Sequence, residues 1–205
     1  MIIIITGPTG SGKTELMKAL DEKNCYIFPI ITTRKTRSND AYKMSVSDFV
    51  FNQLKNKGFF ITDSKYETKI GTLKYGIPEL NMEYHSVLLP QDHIVIEGSY
   101  LHNKGIEEYC KKKKHKYIKI HLDVNDDTII RDTIGQDGRK GTEEEIIARL
   151  ARDKKDMEEL KSNADCVINN NNRNYSPEEL ATIVLGISKQ IKGGLNIYGV
   201  TRNNF

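Results

Sequence analysis

The sequence predicts an α/β fold, a parallel sheet with helices on both faces, and three observations carry that prediction. Short apolar runs recur along the 205 residues with helical patterns between most of them, and strands alternating with helices imply crossover connections and a parallel sheet. The first run, Met1 to Thr6, is rich in β-branched residues and reads as a strand buried on both faces. It leads directly into Gly7-Pro8-Thr9-Gly10-Ser11-Gly12-Lys13-Thr14, which has the spacing G-x-x-x-x-G-K-[ST] of a loop joining a strand to a helix.

The elements follow in order. Glu15 to Leu20 suits the helix after the glycine loop, and Tyr26 to Ile31, His93 to Glu97, Tyr117 to Leu122 and Cys166 to Asn169 supply four further core strands. Between Thr32 and Tyr84 the pattern changes to a polar loop, a short helical stretch over Asp48 to Lys55, and β-like segments at Phe59 to Ile61 and Lys69 to Tyr75. That change predicts a lobe over residues 32–85 inserted into a core formed by 1–31 and 86–192. Thr142-Glu143-Glu144-Glu145 is a capping box that opens a helix running to about Ser162, and Ser176-Pro177-Glu178-Glu179 opens the last helix. Residues 193–205 show no periodicity and read as a partly mobile tail.

Composition narrows the function classes. The net charge of +3 with 29% charged residues forces no nucleic-acid partner. Lys111 to Lys114 lies at the end of a helical run, where cations complement the helix dipole, and no aromatic residues interleave with these lysines. Cys25, Cys110 and Cys166 are unpatterned and fit reduced thiols in a cytoplasmic compartment. A strand beginning at Met1 leaves no room for a signal peptide, and no apolar run reaches membrane-spanning length, so a chain away from the membrane is expected, as monomer or homodimer.

The glycine loop is a phosphate-binding P-loop. Its glycines let backbone N–H groups converge on phosphate oxygens and the helix N-terminus adds positive potential; Lys13 can reach the β/γ-phosphates and Thr14 can hold Mg²⁺. Two arginine clusters are candidates for the rest of the chemistry. Thr32-Thr33-Arg34-Lys35-Thr36-Arg37-Ser38-Asn39-Asp40 places two guanidinium forks three residues apart, suited either to a phosphate or to an ordinary solvated loop. Arg131, Arg139, Arg149 and Arg152 accompany Gly135, Gly138 and Gly141, a pattern that suits a lid over about 131–142. Arg152 equally suits pairing with nearby carboxylates on a solvent face.

Taken in order, the P-loop, Thr-Thr-Arg-x-x-Arg with Asp40, Tyr42, Tyr75-Gly76, Arg139 to Glu145 leading to Arg149-Leu150, and Asp165-Cys166-Val167-Ile168-Asn169 resemble guanylate kinase, over roughly Met1 to Ile191. The resemblance implies a P-loop nucleoside-monophosphate-kinase-like three-layer fold with a five-stranded parallel sheet, an inserted acceptor-binding lobe and a lid. It implies transfer of the ATP γ-phosphoryl group to GMP, dGMP or a related nucleotide, with Mg²⁺. Arg34, Arg37, Tyr42 and Tyr75 would hold the acceptor phosphate, with Asp40, Asp63 and Glu97 on the acceptor side and Glu97 acting through water on the metal. Gly7, Thr9, Gly10, Ser11, Gly12, Lys13 and Thr14 would hold the donor, Asn169 would lie near its base, and Lys13, Arg131, Arg139 and Arg149 would carry transition-state charge.

Departures from the family concern the base. Positions that usually carry a serine, a glutamate and a serine or threonine here hold Ile30, Thr62 and Ile77, and two usual aspartates become Glu97 and Ser99. Asp63 replaces the glutamate if the register slips by one. Tyr75-Gly76-Ile77-Pro78 and Gly98-Ser99-Tyr100-Leu101 resemble segments of ribose 1,5-bisphosphate phosphokinase, which makes a base-free acceptor the alternative. A non-catalytic guanylate-kinase-like binding module is the second alternative, and the complete P-loop speaks against it. No Asn-Lys-x-Asp run of a GTPase switch occurs.

Overall fold

The computed structural model describes residues 1–8, 10–35, 41–68, 71–79, 93–124, 154, 156–171 and 174–192. Its elements are β1 (Ile2–Thr6), α1 (Lys13–Glu22), β2 (Tyr26–Ile27), β3 (Ile30–Thr32), β4 (Lys43–Ser45), α2 (Asp48–Asn56), β5 (Phe60–Thr68), β6 (Gly71–Pro78), β7 (Ile94–Glu97), α3 (Tyr100–Lys113), β8 (Tyr117–Asp123), β9 (Cys166–Asn169) and α4 (Pro177–Lys192). Five strands form an all-parallel sheet in the order β2-β7-β1-β8-β9. β1 is its central strand and its four isoleucines are almost fully buried, each contributing about 1.5–3 kcal/mol of transfer free energy. A second sheet has the order β4-β3-β6-β5. The chain divides into two compact units, one of Met1–Ile2 and Asn24–Tyr117, the other of Ile3–Lys23 and Ile118–Phe205.

In the second of these units α1 packs against α4, burying Leu16, Met17, Ala19 and Leu20 on one side of α1 and Leu180, Ala181 and Val184 on α4. β8 and β9 run parallel with Ile120 opposite Cys166 and Asp123 opposite Asn169. The capping box at α4 is formed reciprocally: Ser176 N donates to Glu179 Oε2 at 2.8 Å and Glu179 N donates to Ser176 Oγ at 3.2 Å. Residues 156–162 are helical, and the start of the helix expected from Glu143 lies outside the described residues.

In the other unit the run Tyr26 to Ile31, expected as one core strand, divides. Tyr26–Ile27 pairs with β7, while Ile30–Thr32 joins the second sheet between β4 and β6. Pro29 sits at the break and has no N–H to continue a ladder. The expected β-like segments become a long antiparallel hairpin, β5 and β6, with an irregularity between Phe60 and Thr62. α2 covers one face of that hairpin: Phe51 stacks on Phe60 with centroids 4.8 Å apart, Lys55 pairs with Asp63 at 2.6 Å and Lys74 with Asp48 at 2.7 Å. Helix α3 lies on the other face, where a Cβ on Gly105 would stand 2.5 Å from Thr62 Cβ. Lys111, Lys112 and Lys113 form the last turn of α3, as the dipole reading expects. Among the described residues no helix is long and apolar enough to cross a membrane.

Candidate functional site

The loop between β1 and α1 is built on glycines whose backbone no other residue adopts cheaply. Gly7 has φ +149°, and a Cβ there would stand 2.5 Å from the Leu122 main-chain oxygen. Gly10 and Gly12 have φ +85° and +91°, and Gly12 is the N-cap of α1, with no side chain capping that helix end. Uncapped first-turn N–H groups leave a helix terminus attractive to anions. The Lys13 ammonium donates to the Gly7 carbonyl at 2.8 Å and the Pro8 carbonyl at 2.7 Å, so the cation is held within the loop. Ser11 N donates to the Pro8 carbonyl at 3.3 Å, and the buried Ser11 Oγ has no hydrogen-bond partner among the described residues. Thr14 is half-buried in the first turn of α1.

A residue not singled out from sequence supports this loop. Asn170 is 2% exposed; its Nδ2 donates to the Ser11 carbonyl at 3.1 Å, and its Oδ1 accepts from Tyr175 N at 3.4 Å. Its own N–H donates to the Asp123 carbonyl at 2.9 Å, which anchors it to the end of β8. Asn169, placed by resemblance near the donor base, is exposed and accepts from Asn171 N at 3.0 Å. The only signal separating the two asparagines is the alternation of β9, which turns Cys166 and Ile168 inward.

Beneath the loop, His121 Nδ1 lies 3.0 Å from Thr6 Oγ1. Burial pushes the His121 imidazole down to about 4, with the Lys13 and Lys161 cations acting in the same direction and Asp123 opposing them, so the ring is neutral. Asp123 is paired with Lys161.

In the other unit the paired threonines fix the root of the arginine loop. Thr32 Oγ1 donates to the Lys74 carbonyl at 2.8 Å, Lys74 N donates to Thr33 Oγ1 at 2.9 Å, and Arg34 N donates to Thr32 Oγ1 at 3.0 Å. Thr32 stands opposite Tyr75 in the β3–β6 register, and the Tyr42 carbonyl accepts from Ile30 N at 3.0 Å. Arg34, Tyr42 and Tyr75 are thereby brought to one sheet. Asp63 is not brought beside Tyr75: it stands opposite Gly76 and bonds Lys55 on the α2 side of the hairpin. Glu97 pairs with Lys43 at 3.1 Å. Ile30 and Ile77 are both buried.

His102 on α3 is a further residue that sequence reasoning missed. It is 2% exposed, with Nε2 2.8 Å from Ser64 Oγ and Nδ1 2.9 Å from Ser99 Oγ. A lone histidine in an unremarkable helical run carries no signal for such a contact. Thr9, Arg37, Asp40, Arg131, Arg139 and Arg149 lie outside the described residues.

No protein-family profile and no curated protein sequence matches the chain. Among solved structures it is similar to guanylate kinase from Anaplasma phagocytophilum, with 18% sequence identity, a TM-score of 0.57, and coverage of 97% of this chain and 87% of that one. A parallel sheet ordered around β1 and a glycine loop leading into α1 are therefore set in the fold of guanylate kinase.

Proposed function

We propose that the protein is an ATP-dependent phosphotransferase whose acceptor is a phosphate group on a small molecule. The observation that carries this reading is the loop from Gly7 to Thr14. An uncapped helix N-terminus, the Lys13 ammonium and a buried Ser11 hydroxyl with no partner among the described residues together fit a polyphosphate oxyanion. Mg²⁺, when bound with the nucleotide, supplies neutralisation of phosphate charge, and the Thr14 hydroxyl would hold it.

In the proposed reaction an anionic acceptor oxygen attacks the γ-phosphorus in line and the bond to the β-bridging oxygen breaks. ADP departs with the bonding electrons, and no proton must be removed from the nucleophile. Lys13 stabilises charge on the donor phosphates, Asn170 holds the loop backbone in place, and Arg34 and Tyr75 orient the acceptor. On resemblance the acceptor is first GMP or dGMP, through the arginine loop and Tyr42, with ribose 1,5-bisphosphate as the alternative; Ser64 and Ile77, on a hairpin face without a carboxylate among the described residues, support the alternative.

ADP release is to be measured with nucleoside monophosphates and phosphorylated sugars as acceptors. It is expected to rise with at least one acceptor, and Lys13→Ala is expected to lower kcat about tenfold to a thousandfold while the protein stays folded. ADP release that no acceptor stimulates refutes the reading.

A further inference from the structure

The β5–β6 hairpin has two chemically distinct faces. Opposed residues of an antiparallel pair share a face, and alternate residues along a strand return to it. One face holds Asp63, Lys65 and Lys74 and is neutralised by α2 through the Lys55–Asp63 and Lys74–Asp48 pairs. The other holds Thr62, Ser64 and Tyr66 on β5 with Tyr75 and Ile77 on β6; the Tyr66 and Tyr75 rings meet edge to face, 5.5 Å apart. Among the described residues this second face carries hydroxyls and no carboxylate.

His102 organises that face. The Tyr75 carbonyl lies 3.4 Å from Nε2 and can only accept, which puts the ring proton on Nε2. Nδ1 is then the acceptor and takes the Ser99 hydroxyl hydrogen at 2.9 Å. Burial lowers the affinity of the ring for a second proton, which keeps this tautomer neutral. Ser64 Oγ, 2.8 Å from Nε2, receives the ring N–H, and its own hydrogen remains available to donate. Ser64 is 8% exposed, so only a slim group such as a hydroxyl or ring oxygen reaches it.

We propose that Ser64, oriented by His102, is a specificity-determining contact of the acceptor lobe, and that it takes a sugar-type oxygen rather than the paired N–H edge of a guanine. A guanine presents adjacent N–H donors that call for a carboxylate or an equivalent pair of acceptors. Asp63 lies on the opposite face with Lys55, and Glu97 is paired with Lys43. A donor hydroxyl backed by a neutral imidazole suits a phosphorylated sugar. This inference rests on the phosphotransferase reading and deepens it.

The test compares ribose 1,5-bisphosphate, ribose 5-phosphate, GMP and dGMP as acceptors for the wild-type protein, Ser64→Ala, His102→Ala and His102→Gln, with thermal melting to verify folding. Expected are higher kcat/KM for a phosphorylated sugar than for either guanine nucleotide, and an acceptor KM raised about tenfold in Ser64→Ala and His102→Ala with the KM for ATP unchanged. His102→Gln, which keeps a donor near the Nε2 position, restores part of the loss. A purely structural role would change melting without separating the two KM values. Preference for GMP or dGMP overturns the inference and leaves the phosphotransferase reading standing. So does a Ser64→Ala protein with wild-type acceptor KM, or with equal losses for acceptor and ATP. Absence of any acceptor-stimulated turnover overturns both, and if His102→Ala does not fold, Ser64→Ala alone decides.

Discussion

Replacing Asn170 by alanine removes the side-chain donor that the buried Ser11 carbonyl uses, a bond of 3.1 Å. An orphaned buried acceptor costs about 1–3 kcal/mol, and the longer Tyr175 N contact adds little. For a chain of this size each kcal/mol moves the midpoint by about 2–4 °C, so Asn170→Ala is expected to melt roughly 2–12 °C lower. Because the lost bond fixes the backbone of the glycine loop, on the proposed reading ATP binding would lose preorganisation, and its KM is expected to rise about tenfold. Asn170→Asp keeps the acceptor for Tyr175 N but turns a carboxylate oxygen toward the Ser11 carbonyl and adds negative charge beside an anion site; its KM for ATP is expected to exceed that of the alanine variant. Asn169→Ala loses only an exposed bond to Asn171 N and is expected to stay within about 0.5 kcal/mol of wild type. Differential scanning fluorimetry with and without ATP, alongside steady-state kinetics, separates the cases. If Asn169→Ala costs more than Asn170→Ala in both melting and ATP KM, the assignment of Asn170 as the clamp is refuted.

Gly7→Ala puts a Cβ against the Leu122 carbonyl at a φ of +149°, and backbone strain with overpacking predicts a loss of about 2–6 kcal/mol; a variant with wild-type melting and ATP-induced stabilisation contradicts this. For His121 the folded value of about 4 lies below the ordinary imidazole range, so the unfolded chain binds the extra proton more readily. Its contribution, on the order of 3 kcal/mol at most, is fully present above about pH 6.5 and is lost as pH falls toward about 4. Denaturant titrations across that window are expected to give a shallower pH slope for His121→Gln, and an unchanged slope counts against the buried neutral ring. His102, lowered in the same direction, keeps some slope in that variant.

Where local chemistry and long-range packing agree, the sequence was legible. Four consecutive isoleucines have no face to offer water, and β1 lies at the centre of its sheet; Ser176 and Glu179 form the cap that their spacing predicts. The second strand departs from its expected course because an apolar run spanning Pro29 is continuous in hydrophobicity alone, whereas the missing N–H ends one ladder and frees Ile30 for another sheet. Asn169 and Asn170 are identical in type, and only strand register distinguishes the solvent-facing residue from the one that holds the loop. The same holds for Asp63 and Ser64. The irregularity between Phe60 and Thr62 sets which of them shares a face with Tyr75, and such a shift leaves no mark in composition. His102 acquires its role from Ser64, 38 positions away.

Lys13 bonded to the Gly7 and Pro8 carbonyls makes the loop its own competitor for the cation. On the proposed reading, an anion that takes over those two N–H donors would gain only the difference between its bonds and the carbonyl bonds it displaces. Weakly basic, singly charged ions would then meet a threshold that a chain of phosphates, offering many oxygens at once, would exceed. On that reading, discrimination against the small anions abundant in solution would begin in the resting loop, before any contact with a base or a sugar is made.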